Sequence, residues 1–255
     1  MAAPALIRPA GTFSPGEKEN PKPSHMTNLH LLTFPDSGTL AEALAARVAA
    51  ALREALAERD AASLAVSGGT TPKRFLRALA MQSLDWSNVR VTLVDERWVG
   101  EDSDRSNAAL VREHLLHGPA AQAQFMPLYR DVPRPEDALA EIDGALAPLL
   151  PLDVAVLGMG TDGHTASFFP GGDRLAEALD PAAPERVLPI RAPGAGEPRI
   201  TLTLPVLLAA RHRFLHIEGQ AKREVLARAE GPEGRDLPVS TVLQGAAAAA
   251  VYWCP

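Results

Sequence analysis

Leu152-Asp-Val-Ala-Val-Leu-Gly-Met-Gly-Thr-Asp-Gly-His-Thr-Ala-Ser-Phe-Phe-Pro-Gly171 is the stretch on which the reading of this chain turns. Its apolar run, 154–157, has the length of a strand buried on both faces, and it empties into glycines 158, 160 and 163. Those letters match the dinucleotide fingerprint G-x-G-x-x-G, but the surroundings do not. The fingerprint needs a long helix opening at the third glycine, so that amides and helix dipole face a pyrophosphate. Here Asp162 and His164 flank Gly163, and Pro170-Gly171-Gly172 stops any helix within about two turns. The acidic residue that would read a ribose about 20 residues further on is also missing, since Glu185 precedes the next apolar run, 187–190. The segment reads as a catalytic loop carrying an acid and an imidazole. No cofactor is expected.

Outward from this strand, short apolar runs alternate with helical periods. Leu40, Leu44, Val48, Leu52 and Leu56 recur every four residues and predict a long amphipathic helix. Leu64-Ala-Val66 reads as a strand ending at Ser67-Gly-Gly-Thr-Thr71, with Pro72 at a first helical position. Residues 89–94 are a strand ending at Asp95-Glu96-Arg97. Helices are expected over 104–117 and 136–150, and strands over 153–157, 187–190, 199–203 and 213–217. A helix follows over 220–230, with a final strand within 246–253. Strands joined by helical crossovers predict an α/β fold, a Rossmann-like three-layer α/β/α arrangement with a largely parallel central sheet. Residues 26–255 are expected to form a single domain. Residues 1–25 hold five prolines and no apolar period, and read as a disordered extension or as sequence upstream of a start at Met26.

Composition narrows the function. A net charge of −6 and a pI near 5.7 argue against nucleic acid and anionic membrane as partners. Cys254 is the one cysteine, so neither a disulfide framework nor a thiolate zinc site is expected. No run of 18 apolar residues occurs; Glu42, Arg47, Arg53 and Glu54 break the Ala/Leu-rich 40–57 stretch. A cytoplasmic protein, monomer or homodimer, is the expectation.

The polar clusters fall at the carboxyl ends of strands, where parallel sheets bind ligands. Ser67, Gly68, Gly69, Thr70 and Thr71 bring small residues and three hydroxyls to a helix start, a setting for phosphate. Asp95-Glu-Arg97, taken alone, reads as a solvated turn. Ser103 or Asp104 is the expected N-cap of the helix after it. Asp162 stands two residues from His164 and is expected to hold the imidazole as a base or to touch substrate. His114 and His117 read as surface residues. His212 and His216 share a strand face and read as structural, because no third metal ligand is evident. Lysine occurs only at 18, 22, 73 and 222 among 25 basic residues, so Lys222 at a helix start stands out as a phosphate contact.

Taken in order, Ser67-Gly-Gly-Thr-Thr-Pro72, Asp95-Glu-Arg97 with Ser106-Asn107, Gly158 to Ser167 with Phe169-Pro-Gly171, Arg199-Ile-Thr201 and Gly219-Gln-Ala-Lys222 resemble the 6-phosphogluconolactonases. The resemblance covers about residues 29–253. It implies metal-independent hydrolysis of a small sugar-phosphate lactone, 6-phospho-glucono-1,5-lactone, to 6-phosphogluconate in the pentose phosphate pathway. The related glucosamine-6-phosphate deaminases share the serine-glycine-glycine loop and the Asp-Gly-His turn, but carry a glutamate where this chain has Phe169 and a tyrosine where it has Arg97. A deaminase-like isomerase therefore lacks its proton relay here, and a non-catalytic sugar-phosphate sensor would lack His164.

On this reading His164 is the general base, with Asp162 orienting it or binding sugar hydroxyls and Asp95 also serving the hydroxyls. Arg97, or the backbone amides of Gly158 to Gly160, would stabilise the carbonyl oxyanion. The 67–71 loop, Lys222 and Arg199 would hold the 6-phosphate. No G-x-S-x-G motif is present, which argues against a covalent acyl-enzyme.

Overall fold

The computed structural model describes residues 29–234, 236–244 and 249–255. The leader expected over 1–25 lies outside the described residues, as do 246–248 of the last expected strand. Seven strands build the main sheet: β1 (Leu29–Thr33), β2 (Ala62–Val66), β3 (Val89–Leu93), β5 (Gln124–Phe125), β6 (Val154–Leu157), β9 (His212–Glu218) and β10 (Ala249–Cys254). Their order is β1-β10-β9-β6-β2-β3-β5, and every pairing is parallel. Strands β2 and β6 are buried at every residue, as near-continuous apolar runs in a covered parallel sheet must be.

Helix α1 (Ser37–Glu58) forms because its apolar residues recur on one face and Asp36 caps it, accepting from Thr39 N. Leu40, Leu44, Val48 and Leu52 are wholly buried. Burying each such side chain stabilises the fold by roughly 1.5–3 kcal/mol. An aspartate at Val48 would break this seam. Alternate residues of β9 locate the helical layers. His212 and Phe214 meet Arg47 of α1, whereas Arg213 between them donates to Leu208 O of α6 (Leu204–Leu208) at 2.8 Å. Helices thus cover both faces, and the fold is the expected three-layer α/β/α arrangement.

From β2 the chain builds outward through β3 to β5; from β6 it builds the other way through β9 and β10. The order reverses between β2 and β6, so a crevice opens beyond their carboxyl ends. Register aligns those ends: Val66 pairs with Leu93 and Val156, and Leu157 with Leu215.

Several expectations change. Residues 187–190 and 199–202 do not join the parallel sheet. As β7 and β8 they pair antiparallel, and β8 pairs with β4 (Asp95–Arg97), giving a separate sheet of order β4-β8-β7. Pro189, which has no N–H to give, sits on the edge strand β7. Asp95-Glu-Arg97 is therefore a strand with Asp95 and Glu96 buried, and not a solvated turn. Helix α3 starts only at Asn107 and ends at His114, and Ser106, accepting from Ala109 N, is its N-cap in place of Ser103 or Asp104. Earlier residues cannot extend it because the chain is turning to bring Asn107 N and Ala108 N onto the buried Glu96. His114 is buried, not at the surface, where Arg77 Nε donates to its Nδ1 at 3.3 Å. No helix follows Gly163 until the single turn α5 (Leu175–Ala178).

Candidate active site

A cavity of about 240 Å³ occupies the crevice. Ser67 to Pro72, Asp95, Arg97, Asn107, Gly158 to Gly160, His164, Ala166, Arg199, His216 and Lys222 all line it. Asp162, the remaining expected site residue, stands behind the histidine.

The loop after β6 is a tight turn that binds to itself. Gly160 N donates to His164 O at 2.9 Å, Gly163 N to Gly160 O at 3.1 Å, and Thr165 Oγ1 to Gly158 O at 2.7 Å. Gly163 takes φ +82, and Ala166 takes φ +50, a conformation that alanine adopts only when its surroundings enforce it. The turn brings Asp162 Oδ1 to 2.5 Å from His164 Nδ1, with the backbone N–H of His164 on the same oxygen at 3.2 Å. A Cβ on Gly160 would sit 2.3 Å from the imidazole, so only glycine fits beneath the pair. Phe169 lies on the ring at a centroid distance of 4.3 Å, and the Arg199 guanidinium lies 5.2 Å from the Phe169 ring centroid.

The loop after β2 supplies the other wall. The Ser67 hydroxyl donates to Val156 O and accepts from Gly158 N, both at 3.1 Å, and Ser67 N donates to Val156 O at 3.0 Å. Ser67 thus stitches two strand ends together and has no donor left for a ligand. The next four amides, Gly68 to Thr71, are bonded to no acceptor among the described residues. Gly69, at φ +96, turns them ahead of α2 (Lys73–Ala80). Lys222, third residue of α7 (Gln220–Glu230), reaches across to Thr71 Oγ1 at 3.4 Å. Burial holds its ammonium below the ordinary lysine range, opposed by the Glu218 carboxylate.

Between these walls the small sheet delivers charge. Asp95 accepts from Ser167 Oγ at 2.5 Å and faces Arg199 Nη1 at 3.9 Å. Burial lowers the affinity of Arg199 for its proton, with Asp95 opposing. Arg97 donates from Nη1 to Arg105 O at 2.5 Å. Arg199 therefore sits with Asp95 and Phe169, and lines the same cavity as Thr71 and Lys222. Glu96, wholly buried, accepts from Arg97 N, Asn107 N and Ala108 N at 2.7–2.8 Å, and burial pushes its carboxyl up to about 7.

Residues 35–253 match the family described as glucosamine-6-phosphate isomerases/6-phosphogluconolactonase. The chain belongs to this family. A 6-phosphogluconolactonase of Rhizobium meliloti (strain 1021) is 53% identical over 231 residues, covering 89% of this chain and 99% of its own. One from Mesorhizobium japonicum is 53% identical over 224 residues, covering 87% and 94%. The crystal structure of a 6-phosphogluconolactonase from Shewanella baltica OS155 superposes with a TM-score of 0.85 at 37% identity, covering 89% of this chain and 98% of its own. The chain is an enzyme of the 6-phosphogluconolactonase type.

Three residues at or beside this cavity were given no part in the chemistry by the sequence alone. Glu96 stood in a motif already noted but carried no role. Asn107 donates to Asp95 O at 2.8 Å, and its side chain fills the place a Cβ on Gly68 would need. His216 was assigned a structural role, although its parity on β9 and its position three residues before Gly219 were visible signals that it faces the same crevice.

Proposed function

We propose that the protein hydrolyses 6-phospho-D-glucono-1,5-lactone to 6-phospho-D-gluconate, the lactonase step of the oxidative pentose phosphate pathway, with His164 activating the water. The observation that carries this reading is the 2.5 Å contact of His164 Nδ1 with Asp162, at a cavity whose far side offers unbonded amides and an ammonium.

With Nδ1–H given to Asp162, Nε2 is the basic nitrogen. It takes a proton from water as the water oxygen bonds to the lactone carbonyl carbon, a role worth about 10²–10⁴-fold. Asp162 stabilises the imidazolium that results. Negative charge collects on the carbonyl oxygen, and Arg97 is the group that meets it. Two of the three backbone alternatives are already engaged, Gly158 N with Ser67 Oγ and Gly160 N with His164 O. The tetrahedral intermediate collapses by breaking the bond to the ring oxygen, which leaves with the proton held on Nε2. Asp95, pinned by Ser167, accepts sugar hydroxyls, and Arg199 adds positive charge at the carbonyl end. The Gly68–Thr71 amides and Lys222 hold the phosphate, and that remote binding energy aligns carbonyl and water. Phe169 against His164 leaves no carboxylate for a deaminase-type relay.

The test is proton release at constant pH from freshly made 6-phosphogluconolactone, with glucono-1,5-lactone as comparison. Rapid, saturable release on the phosphorylated lactone is expected. Release no faster than the uncatalysed rate would remove the assignment.

A further inference from the structure

His216 is a buried, ionisable side chain for which the mechanism above has no use. It lies on β9, lines the active-site cavity, and is 2% exposed. Its Nε2 is 3.0 Å from Glu218 Oε1, and Ser37 Oγ donates to the other oxygen of that carboxylate at 2.8 Å. The bond from His216 holds the Glu218 carboxyl below its ordinary range, so the partner of Nε2 is a carboxylate and Nε2 carries a proton. Phe75, another lining residue, meets the ring edge-on at 6.1 Å and fixes its plane. The second nitrogen, Nδ1, is buried and has no partner among the described residues. A buried polar atom of this kind is destabilising unless something in the working protein satisfies it.

The neighbouring lining residues are Thr71, Pro72, Phe75 and Lys222, the end of the cavity assigned above to phosphate. We propose that His216 is a further substrate-binding residue, whose unpaired Nδ1 contacts the phosphoryl group of the bound sugar phosphate. Phosphoryl oxygens only accept, so Nδ1 carries a proton in the complex and the ring is an imidazolium between the Glu218 carboxylate and the phosphate. Glu218 stabilises that cation from behind, and the contact is a charge-assisted hydrogen bond. The inference rests on the lactonase reading for the identity of the substrate.

Two substitutions separate the nitrogens. His216→Gln places an amide N–H where Nε2 was, keeping Glu218 satisfied, and presents nothing at Nδ1. His216→Phe keeps the ring packed on Phe75 and removes both nitrogens. Each is measured by Michaelis kinetics on phosphorylated and unphosphorylated gluconolactone, and by calorimetric titration with 6-phosphogluconate. For both variants KM on the phosphorylated lactone is expected to rise about tenfold or more, with kcat within about twofold. 6-Phosphogluconate binding should weaken in parallel, and kcat/KM on the unphosphorylated lactone should stay unchanged. His216→Asn, which returns an amide near the Nδ1 position, is expected to recover part of the affinity. A His216→Gln protein that binds 6-phosphogluconate as tightly as wild type overturns the proposal, as does equal loss on both lactones. If wild type proves inactive on the phosphorylated lactone, the functional reading fails by itself, and the calorimetric comparison still decides the role of His216.

Discussion

Asp162 Oδ1 accepts both the Nδ1 side and the backbone N–H of His164, at 2.5 and 3.2 Å, within a turn that only a glycine at 160 can close. One carboxylate oxygen thus fixes the tautomer, the ring plane and the local backbone together. A mobile surface histidine has none of these constraints.

His164→Asn keeps polarity and approximate size but cannot accept a proton near neutral pH. A fall in kcat of about 10²–10⁴-fold is expected, with the melting temperature and 6-phosphogluconate binding preserved. The wild-type rate should decline on the acid side as the imidazole protonates, and the variant should lack that limb. Near-normal turnover with an unchanged profile would move the base elsewhere.

Gly160→Ala tests the support beneath the pair. The added methyl would meet His164 and Asp162 at 2.3–2.5 Å and displace the imidazole. A displacement of that kind costs roughly up to 100-fold in kcat, with KM little changed. An alanine enzyme with wild-type kcat would show that the placement of the ring is not critical.

Lys222→Ala removes the ammonium that crosses to Thr71. A charge-assisted contact is worth about 1.5–3 kcal/mol, so KM for the phosphorylated lactone should rise at least about tenfold. Retention of kcat/KM within a factor of two would return Lys222 to the status of an ordinary helix residue.

Among the described residues no group of three or more His, Cys, Asp and Glu side chains has a metal-binding arrangement. Hydrolysis is therefore expected to persist in EDTA. Loss of activity on chelation, restored by adding a divalent ion, would require a different mechanism.

Glu96 links stability to pH. Its folded carboxyl is raised from the ordinary 4.5 to about 7, so the native state holds that proton more tightly than the unfolded chain does. Its contribution is fully present below about 4.5 and is lost as pH rises to about 7, amounting to at most roughly 3 kcal/mol. Denaturant titrations at intervals from pH 4.5 to 8 should show the wild type losing stability relative to Glu96→Gln across that window. A relative gain with rising pH would mean that the three N–H bonds keep Glu96 ionised in the fold.

The parallel layers were legible in the sequence because local periodicity carries them. Leu40 to Leu56 repeat every four residues, and the unbroken apolar runs at 64–66 and 154–157 suit only a sheet covered on both faces. The helix over 220–230 coincides with α7 because a glycine precedes it and another follows it. The Asp162–His164 pair was equally readable, since two side chains two residues apart in a glycine turn have few places to go.

Tertiary structure alone decided the rest, since it depends on partners distant along the chain. Asp95-Glu-Arg97 has no strand period of its own; it becomes a strand because Arg199 to Thr201 come alongside it. Whether its acids are buried follows from donors supplied by Ser167, Asn107 and Ala108. A buried carboxylate is tolerated only where such donors converge, and convergence is a property of chain closure. Ser67 looked like a ligand contact from its own loop, but its hydroxyl is taken by Val156 and Gly158 on a neighbouring strand end. Arg199 and His216 were placed by register, which sets the cavity end that each side chain meets. Local sequence marked the strand ends where polar residues gather; long-range pairing decided which of their polar atoms remain free.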